Sequence, residues 1–186
     1  MINGIINVYK ERGFTSFDVV AKLRGILHER KIGHTGTLDP EATGVLPVCI
    51  GNATKVCELL TDKDKVYRTV MHLGITTDTQ DMTGTVKEDR SREAALLKEQ
   101  TVEAAILQFV GDYEQIPPMY SALKVNGKKL CDLARAGIEV ERKARTVKIF
   151  SIEIEEINLP DVTMQVHCSK GTYIRTLSAD NGEAVR

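Results

Sequence analysis

No apolar run in this chain approaches the roughly 20 residues needed to cross a bilayer, so a membrane span is not expected. The start, Met1-Ile2-Asn3-Gly4-Ile5-Ile6-Asn7, lacks the basic and long apolar regions of a secretory leader, and a cytoplasmic protein is expected. Cys49, Cys57, Cys131 and Cys168 are scattered without metal-type spacing, and His28, His34, His72 and His167 form no ligand cluster. Reduced, mostly buried thiols are the natural state for such cysteines, and no metal is indicated. Repeats and low-complexity tracts are missing as well. A net charge of −1 gives no bulk signal for nucleic acid.

The distribution of charge is more informative than its sum. Residues 1–35 hold six Lys/Arg against three Asp/Glu, and residues 120–150 hold eight against three, whereas residues 76–114 hold four against nine. Two basic segments sharing a face would track phosphates despite the neutral total, although charge runs are more often ordinary solvated faces. With 42% hydrophobic and 27% charged residues, the 186-residue chain reads as one soluble globular domain, residues 1–186.

Hydrophobic periodicity predicts an alternation of strands and helices. Strands are expected over 2–8, 45–50, 65–73, 120–125, 146–157 and 162–168. Helices are expected from a Thr15 or Ser16 cap to His28, with Phe17, Val20, Leu23 and Leu27 on one face, and over 53–60. Further helices are expected from a Thr101 cap to Phe109, over 128–136, and from about Thr172. Turns fall at Asn126-Gly127 and around Asn158-Leu159-Pro160-Asp161. Adjacent strands joined by short turns favour an α+β fold with a mixed, mainly antiparallel central sheet flanked by helices over a doubly wound parallel one.

One stretch carries more chemistry than the rest. Gly33-His34-Thr35-Gly36-Thr37-Leu38-Asp39-Pro40-Glu41-Ala42-Thr43-Gly44-Val45-Leu46-Pro47 sets a carboxylate, Asp39, in a loop rich in glycine and proline. Pro40 pushes Asp39 away from helical geometry, so the loop presents an acid. Taken alone, Asp-Pro is more commonly the start of a turn in which the carboxylate bonds its own backbone. The whole block, however, resembles the catalytic motif of the TruB family of tRNA pseudouridine synthases. Lys65-Val66-Tyr67-Arg68, Thr77-Asp78-Thr79-Gln80-Asp81, Ile116 to Lys124 and Ser169 to Leu177 continue the resemblance in the family's order.

The resemblance implies an isomerase that flips the T-arm uridine of tRNA out of its stack, breaks its C1′–N1 bond and rejoins the base through C5. Asp39 is then the catalytic nucleophile or base, with Arg175 as its charge partner. Tyr67 stacks on the uracil, Tyr173 contacts it, and His34 fills the gap left by the flipped nucleotide. Asp81 contacts displaced loop nucleotides. Lys10, Lys124, Lys128, Lys129 and Arg142 are candidate phosphate contacts, though surface basic residues commonly look the same. No cofactor is needed, because the rearrangement is redox-neutral. The expected partner is the tRNA T-arm stem-loop, with no membrane or obligate protein partner, and the enzyme is expected to be a monomer.

Two departures from the family pattern stand out. Glu11 replaces a usual proline in Lys10-Glu11-Arg12-Gly13, and Asn181 stands where the family has an apolar residue. The family's later C-terminal segment is not in this sequence, so a truncated catalytic domain without the C-terminal RNA-binding part is expected. The rivals are a non-catalytic tRNA-binding module and a hydrolase with a second carboxylate beside Asp39. Guide-RNA-dependent box H/ACA synthases share the catalytic motif, but the histidine loop and compact length favour a stand-alone enzyme.

Overall fold

The computed structural model describes residues 2–185, which divide into two compact units meeting at Lys63 and Asp64. In the first unit, β1 (Gly4–Lys10), β2 (Ile32–His34) and β3 (Gly44–Ile50) form an antiparallel sheet in the order β1-β3-β2. Helix α1 (Ser16–Leu27) packs on it. Thr15 and Asp18 form a capping box: the Thr15 hydroxyl accepts the Asp18 N–H at 3.0 Å, and the Asp18 carboxylate accepts the Thr15 N–H at 2.8 Å. A 3₁₀ turn (Gly51–Val56) and α2 (Cys57–Thr61) follow where a single short helix was expected. Val19 and Val20 of α1 meet Ile32, Leu46, Val48 and Ile50 in the core. Phe17, expected on the buried face, is exposed; the buried stripe runs instead through Ser16, Val19 and Val20.

The second unit is built on β4 (Lys65–His72), β7 (Gly111–Gln115), β10 (Arg145–Asn158) and β11 (Asp161–Cys168). These strands form an antiparallel sheet in the order β4-β11-β10-β7. On β11 the alternate residues Val162, Met164, Val166 and Cys168 are fully buried. They share a core with Val102 and Ile106 of α4 (Glu99–Leu107) and Leu177 of α6 (Ile174–Ala184). Two short hairpins, β5 (Ile75–Thr77) with β6 (Val86–Asp89) and β8 (Lys124–Val125) with β9 (Lys128–Lys129), and two helices, α3 (Ser91–Ala94) and α5 (Leu130–Arg135), complete it.

The antiparallel α+β architecture agrees with the sequence expectation, while several boundaries move. Helix α4 starts after Lys98, so Thr101 lies in its first turn and is not the cap. The expected strand from Tyr120 shrinks to Lys124–Val125, because Pro117 and Pro118 precede a bend closed by the Ser121 N–H on Met119 O at 2.9 Å. The Asn126-Gly127 turn is present, with both residues at positive φ as a tight hairpin requires. Asn181 is fully buried in α6, its amide donating to Leu177 O at 2.8 Å.

Candidate active site

The loop between β2 and β3 belongs to the first unit and is held by its backbone. The Thr35 N–H donates to Pro47 O at 3.1 Å. Buried Ser16 grips Leu38 from both sides: its hydroxyl accepts the Leu38 N–H at 2.9 Å and donates to Leu38 O at 3.4 Å. One residue beyond Asp39, the Pro40 carbonyl accepts the Gly13 N–H at 2.9 Å and the Lys10 ammonium at 3.2 Å. Gly13 and Gly44 hold φ of 86° and 141°, which side-chain-bearing residues rarely adopt, so the chain can fold back tightly here. The peptide units on both sides of Asp39 are fixed, while Asp39 itself is exposed.

Lys10, expected among the phosphate contacts, is placed differently. It is fully buried, and its ammonium donates to Glu11 O (2.9 Å), Phe14 O (2.7 Å) and Pro40 O (3.2 Å). Burial lowers its pKa, against the raising influence of Asp39 and Glu41. An ammonium donating to three carbonyls anchors the loop. His34 sits half-buried on β2 opposite Val48, and its Nδ1 is buried without a hydrogen-bond partner among the described residues.

The second unit gathers Arg175 and Asp81. Arg175, in the first turn of α6, donates to Thr79 O (2.9 Å), Tyr120 O (3.0 Å) and Asp81 Oδ2 (3.3 Å), with its side chain 16% exposed. Burial works to raise the Asp81 pKa. The Thr83 and Thr79 hydroxyls, the Thr83 N–H and Arg175 outweigh it and hold the carboxyl below the ordinary carboxylate range. Asp81, expected to meet displaced nucleotides, is thus engaged with Arg175. Beside them Thr176 donates to Gln80 Oε1 at 2.8 Å. A cavity of about 660 Å³ opens here, lined by Met71, Leu73, Leu97 and Ile174 as well as Asp81 and Arg175. Tyr67 lies on β4 opposite Val166, partly buried against the sheet core. Tyr173 precedes α6 with the Arg145 guanidinium 5.2 Å from its ring centroid. Lys124, Lys128 and Lys129 are exposed on the β8–β9 hairpin, whereas Arg142 donates to Pro117 O and Glu139.

Sequence reasoning missed the anchoring roles of Ser16 and Lys10 and the hydroxyls of Thr79 and Thr83. The two threonines stand two residues either side of Asp81, a spacing typical of local side-chain bonding that could have flagged them. Ser16 carried no such signal, since Leu38 lies 22 residues away, and Lys10 bonds Glu11 O and Phe14 O locally but reaches the Asp39 loop only across 30 residues, at Pro40 O.

The antiparallel α+β fold recurs in solved structures. A Cbf5–Nop10–Gar1 complex matches with a TM-score of 0.74 and 35% identity, covering 98% of this chain and 44% of that one. An H/ACA RNP bound to a substrate RNA containing 2′-deoxyuridine matches with a TM-score of 0.70 and 31% identity, covering 98% and 43%. The chain belongs to the TruB family: residues 24–174 match the TruB family pseudouridylate synthase N-terminal domain. It is 61% identical to tRNA pseudouridine synthase B of Lachnoclostridium phytofermentans, over 100% of this chain and 62% of that protein. Its identity to the Bacillus pumilus protein of the same name is 50%, over 98% and 60%. The chain therefore spans about three-fifths of the length of these relatives.

Proposed function

We propose that this chain carries the catalytic machinery of a tRNA pseudouridine synthase and isomerises the T-arm uridine of tRNA, acting as a cytoplasmic monomer. The observation that carries the reading is the 61% identity, across the whole chain, to a protein named tRNA pseudouridine synthase B. The clamped loop that holds Asp39 exposed gives it a physical basis.

The reaction needs an ionised acid aimed at the sugar or base, a surface to hold the detached uracil, and exclusion of water. Asp39 supplies the acid, and Arg175 brings a positive charge to the substrate. Tyr67 stacks on the uracil and Tyr173 contacts it. His34 offers a flat face to stacked bases once the uridine has left the helix, a step costing a few kcal/mol. Lys124 meets the phosphate backbone. As the C1′–N1 bond breaks and the base rotates and rejoins through C5, the C5 proton leaves and N1 takes one up, so the product has the same composition and redox state as the substrate; no cofactor is required.

The test follows that proton. A T-arm stem-loop with uridine tritiated at C5 is incubated with the parent chain and with Asp39→Asn. Release from the parent that falls to background in the variant is expected. Release retained by the variant would remove Asp39 from the mechanism. A parent that binds the stem-loop without releasing tritium would mark this chain as a binding module.

A further inference from the structure

Gln115, at the end of β7, is fully buried. Its amide oxygen accepts the Tyr173 N–H at 2.8 Å and its amide nitrogen donates to Tyr173 O at 3.0 Å. One side chain thus makes the pair of bonds that a neighbouring strand would make. The register partner of Gln115 is Arg145 on β10. The Arg145 guanidinium donates to Gly171 O and lies over the Tyr173 ring. Arg175 is the second residue of the helix that begins after Tyr173.

The same strand touches α6 a second time. Tyr113, two residues before Gln115, donates from its hydroxyl to Asp180. Both contacts tie helix to sheet, yet only the one from Gln115 lies in the turn that aims Tyr173 and Arg175. An apolar side chain would fill the buried position without polar desolvation; an amide gains a fixed geometry for the backbone it grips.

We infer that Gln115 is a positioning residue for the uridine site, fixing the Tyr173 backbone and the first turn of α6 and so the direction of Arg175. The inference rests on the function proposed above. Gln115→Met keeps length and volume but loses both bonds, and Tyr113→Phe loses the tie to Asp180 and the hydroxyl's contact with the Gln115 side chain while leaving the Gln115–Tyr173 pair. Both are compared with the parent by tritium release, thermal melting and backbone amide NMR.

In Gln115→Met, kcat is expected to fall about 10- to 100-fold, the range a misplacement near 1 Å produces, with KM within about threefold of the parent. The amide signals of residues 173–175 shift. Tyr113→Phe melts at a lower temperature but keeps kcat within about twofold and leaves those signals in place. A loss confined to KM, or a Gln115→Met deficit no larger than that of Tyr113→Phe, overturns the inference. So do unmoved signals at 173–175. An inactive parent would instead sink the proposed function, and the amide signals of Gln115→Met would still decide whether Gln115 holds this turn.

Discussion

The two units prepare their reactive groups in opposite ways. In the first, the neighbouring backbone is held and the side chain is exposed: Ser16 fixes Leu38, Gly13 and Lys10 fix Pro40, and Asp39 lies between them. In the second, the side chain itself is held: Arg175 is mostly buried and shares its donors among Thr79 O, Tyr120 O and Asp81. The difference follows from chemistry. A carboxylate that attacks or takes a proton must keep its oxygens accessible, so its precision has to come from neighbouring peptide units. A guanidinium has five donors in a rigid fork and can engage several acceptors while still directing charge. Damage to the first arrangement should show mainly as loop disorder, and damage to the second as a misdirected charge.

The largest effect in this comparison is expected on the guanidinium side. Asp81→Asn removes the carboxylate facing Arg175, and tritium release should fall about tenfold or more while RNA binding weakens less. Urea denaturation should show a loss of roughly 1–3 kcal/mol at neutral pH, as for other charge-assisted bonds left unmade. The folded-state pKa of Asp81 is depressed, so its contribution is complete above the unfolded value near 3.9 and is lost as pH falls through the folded value. The stability gap between parent and variant should therefore close below about pH 4. A gap that widens on acidification would contradict the assignment.

Lys10→Met comes next. It leaves the Glu11, Phe14 and Pro40 carbonyls short of a donor, and a cost of about 1–3 kcal/mol is expected in the same assay. Activity per folded molecule should fall less than in Asp81→Asn, because Ser16 and Gly13 still hold the loop. Binding to the stem-loop should keep its salt dependence, since a buried ammonium releases no counterions from RNA. A shallower salt slope would return Lys10 to the phosphate contacts. Smallest of all, Thr15→Ala opens the capping box and should cost about 1 kcal/mol with kcat unchanged, which a melting curve and a rate measurement would check together.

Long, regularly patterned elements were legible in the sequence. β11 alternates cleanly, β10 does so apart from register shifts after Ile149 and Ile154, and α1 announces itself through Thr15 and Asp18. β7 was not, because Gly-Asp-Tyr-Glu-Gln carries no apolar alternation; its inward positions are filled by Tyr113 and Gln115, which bond α6 and the turn before it. β5 and β6 escaped for a similar reason, being short and largely polar. The loop around Asp39 was evident from glycine and proline spacing, yet its anchors were not. A lysine reads as a surface charge until its partners are known to be carbonyls, one of them thirty residues away.

The stapled Pro40 carbonyl has a consequence for affinity. A flexible loop must be ordered when its ligand arrives, and that conformational entropy is subtracted from the binding free energy. Here the ordering happens as the first unit folds, when Lys10 and Gly13 close on Pro40. Under the proposed function, the entropic cost is thereby transferred from RNA association to folding, and an incoming uridine would meet a loop already ordered.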